Sequence, residues 1–417
     1  MIDGSYKLPE GWRWVRLGEA CQINPRRPRL DVNPTAEVTF VPMSAVDAEL
    51  GIIYTPEIKP FSAVKTGYTY FEENDVLFAK ITPCMENGKS AVARGLLNNI
   101  GFGSTEFHVL RPIDSVLSEW IWLYVRKKDF RESARAAFRG GVGQQRVPAE
   151  FLQEACIPLP PLNEQRRIVA KVEMLMEQVR EARRLRQKAV EDADRLWQSV
   201  LADTFPCPGT DLPPNWRWVR LGEICEYKTG IWGPEASDPK LGFPIVRSTE
   251  IDGMFIRPEK ASIREIPRSR LGAYALKSGD ILVNKSSGSP RLVGWPALFE
   301  GSKDGRIYLF SNFMLRLRVK ESVLMSHFLL YYLHSPIARS IYLGAQDTTS
   351  GLRNLRVRDF MNQSIPLAPF NEQQGLITHL ERTHKNIKSL MDGQAQFGAE
   401  LQRLEQSILD SAFKGEL

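Results

Sequence analysis

The sequence predicts an α/β (α+β) chain: a tandem repeat of two related globules joined by two long antiparallel coiled-coil helices, with a pseudo-two-fold axis between the halves. Three observations predict it. The octamer WRWVRLGE at Trp12–Glu19 recurs letter for letter at Trp216–Glu223. Each copy opens a stretch of short β-rich runs, such as VLFAKI, FHVLR, DILVNK and FMLRLRV, punctuated by Gly, Pro, Asn and Ser. Each stretch then gives way to a proline-free tail rich in Glu, Gln, Arg, Leu and Ala.

The repeat extends along the whole chain. LPEGWRWVRLGEACQ (Leu8–Gln22) matches LPPNWRWVRLGEICE (Leu212–Glu226), and ENDVLFAK (Glu73–Lys80) matches SGDILVNK (Ser278–Lys285). IPLPPLNEQ (Ile157–Gln165) matches IPLAPFNEQ (Ile365–Gln373), and LWQSVLADTF (Leu196–Phe205) matches LEQSILDSAF (Leu404–Phe413). The offset grows from 204 (8 to 212) to 208 (157 to 365), so the second globule has gained four residues. The expected boundaries are 1–160 and 206–368 for the globules, and 161–205 and 369–417 for the helices.

In the tails, apolar residues recur every four and three positions. The first seam reads Ile168, Val172, Leu175, Val179, Ala182, Arg186, Ala189, Ala193, Leu196, Val200. The second reads Leu376, Leu380, Thr383, Ile387, Leu390, Gln394, Phe397, Leu401, Leu404, Ile408. This is coiled-coil spacing, and Asn163 and Asn371 are expected as N-caps. At 1.5 Å per residue each helix is a rod of roughly 60 Å. Trp12, Trp14, Trp216 and Trp218 are expected in the core, and His379 and His384 in solvent.

Composition narrows the function classes. The 417 residues exceed what one core sustains. The five cysteines form no CxxC pair, which argues against a disulfide framework or zinc site and for a reducing cytoplasm. The first residues have neither a basic n-region nor an apolar h-region, and no run is long enough to span a bilayer. The net charge is +6, but it is unevenly placed. Residues 1–160 hold 19 Lys+Arg against 19 Asp+Glu, whereas residues 206–370 hold 22 against 15, a net of +7. An anionic partner is permitted, and the two globules need not grip it equally.

Catalytic signatures are weak. PCMENGKS (Pro83–Ser90) has proline where a phosphate loop needs its first glycine. Gly101-Phe102-Gly103 is a lone GxG whose counterpart segment IYLFSNF has no glycine, as in an ordinary strand. No NPPY-type tetrapeptide is present, and the five histidines do not fall at metal-ligand spacing. The chain is therefore expected to be non-catalytic and without a cofactor or metal of its own.

LPxxWxWVxLGE opening a globule, IPLPPLNEQRRIV closing it into a long helix, and the terminal QSILDSAFKGEL resemble the DNA-specificity subunit of type I restriction–modification systems. The resemblance covers both repeats. It implies that each globule is a target recognition domain reading one half of a bipartite, asymmetric site in double-stranded DNA. It implies that the helices are spacers docking two adenine methyltransferase subunits, with S-adenosylmethionine bound by those subunits, and that motor-nuclease subunits join them. Two rival readings are a two-headed DNA-binding regulator with no methyltransferase partner, and a complete methyltransferase with its own cofactor pocket.

Candidate DNA contacts lie in matched places. Lys80 and Thr82 lead into Asn87 and Lys89; Lys285, Ser286 and Ser287 lead to Arg291. Lysines suit phosphates, while Asn and Arg can contact adenine and guanine edges in bidentate fashion; the alternative is a solvated hairpin loop. Gly140-Gly141-Val142-Gly143 with Gln144, Gln145 and Arg146 matches Thr348-Thr349-Ser350-Gly351-Leu352-Arg353, of which Thr349 and Arg353 are candidates; the alternative is a structural turn. Arg26, Arg27 and Arg29 in PRRPR form a candidate phosphate clamp. Lys228 and Thr229, then Arg247 and Thr249, follow in the second repeat. Trp232 is read as core in preference to a stacking wedge.

Overall fold

The computed structural model describes residues 6–141, 143–349 and 352–417. The chain forms two compact units, Met1–Arg186 with Gln396–Leu417, and Gln187–Ala395. Each long helix, Leu162–Thr204 and Phe370–Lys414, is thus divided between the units.

The repeated motifs turn out to be one another's partners. Arg13–Arg16 pairs antiparallel with Cys156–Leu159, setting Val15 against Ile157. Arg217–Arg220 pairs likewise with Ser364–Leu367, setting Val219 against Ile365. The rest of the octamer serves this closure. Leu17 and Leu221 are fully buried, and their amides donate to the carbonyls of Ala155 and Gln363. A Cβ on Gly18 or Gly222 would press on the carbonyl oxygen of Gln153 or Met361, at 3.2 and 3.3 Å. Glu19 and Glu223 accept from the amides of Arg16 and Arg220. WRWVRLGE is therefore the clasp that joins the start of each globule to its end.

The NEQ that follows is equally constrained. Gln165 and Gln373 are fully buried. Each accepts from the amide at the start of a domain helix, Leu117 or Met325. Each then donates to two carbonyls, Ser115 and Pro160 in one unit and Val323 and Ala368 in the other. Asn163 and Asn371 are not the caps expected of them. The helices begin two residues earlier than such caps require, at Leu162 and Phe370, and the carbonyls of Pro161 and Pro369 accept the first helical bonds.

In unit 1 one antiparallel sheet has the order Cys21–Ile23, Phe107–Pro112, Val76–Ala79, Ser90–Val92. A second has the order Glu57–Pro60, Glu37–Val41, Ile100–Gly103, Thr69–Glu72. Gly101 lies in the latter, where a Cβ would strike the Phe71 ring, so that glycine serves packing. In unit 2 the corresponding main sheet runs Cys225–Thr229, Met314–Val319, Asp280–Asn284, Pro296–Phe299, continued by two short strands. A buried aspartate stands at the head of the matching inner strand in each unit, just before Val76–Ala79 in one and as the first residue of Asp280–Asn284 in the other. Asp75 takes two bonds from Arg111 at 2.8 and 2.7 Å, and Asp280 takes two from Arg318 at 2.7 Å.

Within unit 1 the start of the first long helix (Ile168, Val172, Val179) packs with the end of the second (Ile408, Leu409, Ala412, Phe413) against the domain. Within unit 2 the end of the first (Trp197, Leu201, Phe205) packs with the start of the second (Ile377, Leu380, Ile387). This is antiparallel pairing, but the strict heptad seam departs from it. Leu196, Leu390, Phe397 and Leu404 are exposed, while Trp197, Leu201 and Leu409 are buried beside them. A straight helix drifts about 20° per heptad. In the first helix this moves the buried face by nearly one residue, from Ile168 and Val172 to Trp197 and Leu201. The second keeps Leu380, Ile387, Leu401 and Ile408 buried in register, and its companion row, from Ile377 to Ala412, lies one residue later than expected. Three further expectations are corrected. The four clasp tryptophans are only half-buried. His384 is half-buried against the Trp197 ring at 4.8 Å, because the neighbouring helix covers it. Trp232 is exposed, with the Arg264 guanidinium over its ring at 4.5 Å.

Candidate nucleic-acid interface

The two loop pairs singled out in the sequence come together in space, and they do so the same way in both units. In unit 1 the central strand leaves the sheet at Lys80. Its amide donates to the Glu106 carbonyl, and its own carbonyl accepts from Val147. Ile81 then bridges to Arg146, and the Thr82 amide donates to Gln145. In unit 2 the strand leaves at Lys285, whose amide donates to Phe313 and whose carbonyl accepts from Leu355. Ser286 and Ser287 then pair with Asn354 and Arg353. Each unit thus presents a rim of three segments: a strand exit, a turn and a returning edge.

The side chains on the rims differ. In unit 1 the Arg146 guanidinium donates two hydrogen bonds to the Glu106 carboxylate, both at 2.8 Å, which hold that carboxyl below the usual carboxylate range. Lys80 is half-buried beside this pair, and burial lowers its ammonium pKa. Gln144 is exposed and Gln145 half-buried. Thr82 bonds to Glu86, Asn87 is exposed, and the Lys89 ammonium donates to the Met43 carbonyl at 2.8 Å. In unit 2 burial likewise lowers the Lys285 pKa. The Ser286 hydroxyl bonds to Asn354 at 2.6 Å, and Ser287 accepts from the Ser289 amide. Arg291 and Arg353 are exposed, with no ion-pair partner among the described residues. The Thr349 backbone pairs with Leu352, but its side chain lies outside the description, as do Val142, Ser350 and Gly351.

Gly140 and Gly143 hold φ of +117° and +83°, which side-chain-bearing residues rarely adopt. These glycines let the returning edge double back before Gln144.

The remaining candidates are spread more widely. Arg26 and Arg29 are exposed without an ion-pair partner among the described residues, and the Arg27 guanidinium donates to the Lys65 carbonyl. Lys228 lies 4.6 Å over the Tyr274 ring, and Thr229 is exposed on the same strand. Arg247 and Thr249 are both tied to the buried Glu250 carboxylate.

Sequence reading missed the turn of each rim. Glu106 orients Arg146 in unit 1, and Asn312 with the exposed Phe313 occupies that turn in unit 2. The signal was available: Glu106 and Asn312 directly precede the β-rich runs FHVLR and FMLRLRV. Among the described residues no group of His, Cys, Asp or Glu could hold a metal ion, and no helix is long and apolar enough to cross a membrane.

Comparison with known proteins places this geometry. A family model described as the type I restriction modification DNA specificity domain matches residues 9–188 and again 213–394. The EcoAI type I restriction enzyme specificity subunit of Escherichia coli is 33% identical over 319 residues, covering 74% of this chain and 52% of the relative. The EcoEI specificity subunit of Escherichia coli is 35% identical over 234 residues, covering 56% and 38%. The chain thus spans about half, or less, of these relatives' length. Among solved structures, one chain from work on complex assembly and conformational transition of the type I R-M system is 33% identical with a TM-score of 0.81. That match covers 99% of this chain and 100% of the other. The HsdS subunit from Thermoanaerobacter tengcongensis is 34% identical with a TM-score of 0.59, covering 100% of both. The chain belongs to the family of type I restriction–modification DNA specificity proteins and carries the family's domain twice.

Proposed function

We propose that this chain is the non-catalytic specificity subunit of a type I restriction–modification complex. Each globular domain reads one half of an asymmetric bipartite site in double-stranded DNA. The long helices set the separation of the halves and dock two adenine methyltransferase subunits, which bring S-adenosylmethionine, and motor-nuclease subunits join that core. The observation that supports this reading is the pair of rims: one backbone arrangement presented twice with different side chains. Gln144 and Gln145 suit adenine edges, and Arg353 suits guanine. Lys80 and Lys285 suit phosphates, which position the protein without carrying sequence.

The test is to co-express the chain with the methyltransferase encoded beside it and map modified adenines across the host genome. A motif with two fixed arms and a constant gap supports the reading; an unmodified genome from a complex shown to assemble refutes it. Inserting one heptad into each long helix adds about 10 Å, so the gap should widen by about 3 base pairs while both arms stay unchanged. An unaltered gap would show that the helices do not set it.

A further inference from the structure

The main sheet of unit 2 contains an arrangement that the rim does not use. On its paired strands Lys228 stands directly opposite Arg316, and Glu226 opposite Arg318. Opposed residues of an antiparallel pair share a face, and like charges placed so repel. Arg318 is satisfied by two bonds to Asp280. Arg316 is not. It is only 5% exposed, yet its Nη1 reaches just two carbonyls, Ala273 and Ala275, both at 3.4 Å. Its Nε is buried with no partner among the described residues. Arg316 and Lys228 both line an open cleft with Tyr227, Gly272 and Ala273.

Unit 1 supplies the control. It has a cleft at the matching strand positions, lined by Asn24, Arg27, Lys65, Tyr70 and Val109, in which the Arg27 guanidinium is already engaged by the Lys65 carbonyl. There Asn24 and Val109 stand where Lys228 and Arg316 stand in unit 2. Their contact is neutral: the Asn24 amide donates to the Val109 carbonyl at 2.7 Å, and its side-chain oxygen accepts from the Val109 amide at 3.0 Å. The fold therefore does not need two cations at these two opposed strand positions, and the cations of the unit 1 cleft, Arg27 and Lys65, come from other segments.

We infer that the unit 2 cleft is an oxyanion site that takes one phosphate group, held by Arg316 from the floor and Lys228 from the rim. The phosphate is either a DNA phosphodiester or a free phosphate ion. An anion there would offset the repulsion between the opposed cations and give Arg316 the partner it lacks. Burial and the Arg318 charge disfavour the Arg316 cation, Asp280 and Glu226 favour it in part, and a bound anion would add to them. Glu226, on the same face, limits the cleft to one anion. Residues 206–370 carry a net charge of +7, against zero on residues 1–160, which favours an anion in this unit over the other. The phosphodiester arm alone rests on the DNA-binding reading above.

The test uses the full chain in three forms: unaltered, Arg316→Met, which keeps the stem against Phe310, and Lys228→Gln, which alters a strand-edge side chain. Calorimetric titration with inorganic phosphate, against chloride at matched ionic strength, should show one site per chain, weakened about tenfold in each variant. In phosphate-free buffer, DNA affinity of the assembled complex is followed against salt. If the source is DNA, each variant loses about 0.9 from the log–log slope, with base preference unchanged. Phosphate binding without any change in slope assigns a free ion. Unaltered behaviour of both variants in both arms overturns the site, and if Arg316→Met fails to fold, Lys228→Gln decides alone. An unaltered chain that binds no DNA refutes the proposed function, while the phosphate titration still decides the cleft.

Discussion

The two units reach one backbone arrangement from sequences that agree in some places and diverge in others, and the division is physical. Within the motifs that close each globule, the shared letters that carry the frame are buried or bonded to backbone. Leu17 and Leu221, Gly18 and Gly222, Glu19 and Glu223, and Gln165 and Gln373 all serve the clasp that closes a globule. Where they diverge, as at Thr82 and Ser287, Arg146 and Asn354, or Val109 and Arg316, the side chain faces a rim or a cleft. The protein thus varies the surfaces that would meet a ligand while holding the frame that carries them.

The largest effect should come from the frame. Asp75→Ala or Asp280→Ala leaves Arg111 or Arg318 beside a buried void in place of its carboxylate. Removing one member of such a pair typically costs 3–5 kcal/mol. Partial exposure of both arginines lowers this to about 3 kcal/mol. Denaturant unfolding should show similar losses for the two variants; a loss in only one would mean the matched pairs do different work.

The rims should respond one at a time. Arg353→Ala and Arg291→Ala each remove an exposed cation from unit 2. If either reads a base, specific binding should weaken by about 1–3 kcal/mol and tolerance should rise in one half-site only. Equal relaxation of both halves, measured by binding to degenerate duplexes, would remove these residues from the reading surface. In unit 1 Glu106→Gln releases Arg146 from its carboxylate, so preference should change in the other half.

Lys80 and Lys285 invite a pH comparison. Burial disfavours their charged form, so each loses its proton at lower pH than a free lysine. A bound phosphate favours the charged form. DNA affinity should therefore fall as pH rises through that lowered range, by at most about tenfold per pH unit for each lysine. The Lys80→Gln and Lys285→Gln double variant should bind more weakly but without this slope. A slope that survives in the double variant belongs to other groups.

The duplication, the two textures, the long helices and the strand-exit loops were legible because each leaves a local signal: a repeated word, a period, a turn composition. What was illegible depended on distant partners. Nothing in WRWVRLGE says that it pairs with IPL some 140 residues on, yet Val15 lies against Ile157. Nothing in a lone glutamine predicts three buried hydrogen bonds. Glu106 was missed because its role exists only once Arg146 arrives beside it. The same limit explains the misplaced seam, since which of two adjacent apolar residues faces inward, Leu376 or Ile377, Leu196 or Trp197, is decided by the helix and domain packed against them.

That seam yields the smallest effect, and the most discriminating. Leu390 is 62% exposed and Leu380 is buried, although both are seam positions by spacing. Leu380→Ala should cost 2–5 kcal/mol, in line with large-to-small changes in a packed core. Leu390→Ala should fall within about 0.5 kcal/mol, as exposed substitutions do. Paired denaturant titrations of the isolated chain check this directly. Equal costs would mean that Leu390 is packed in solution and that the buried row does not lie one residue later. Unequal costs would leave Leu390, with Leu196, Phe397 and Leu404, as apolar side chains on the outside of helices that the frame does not need.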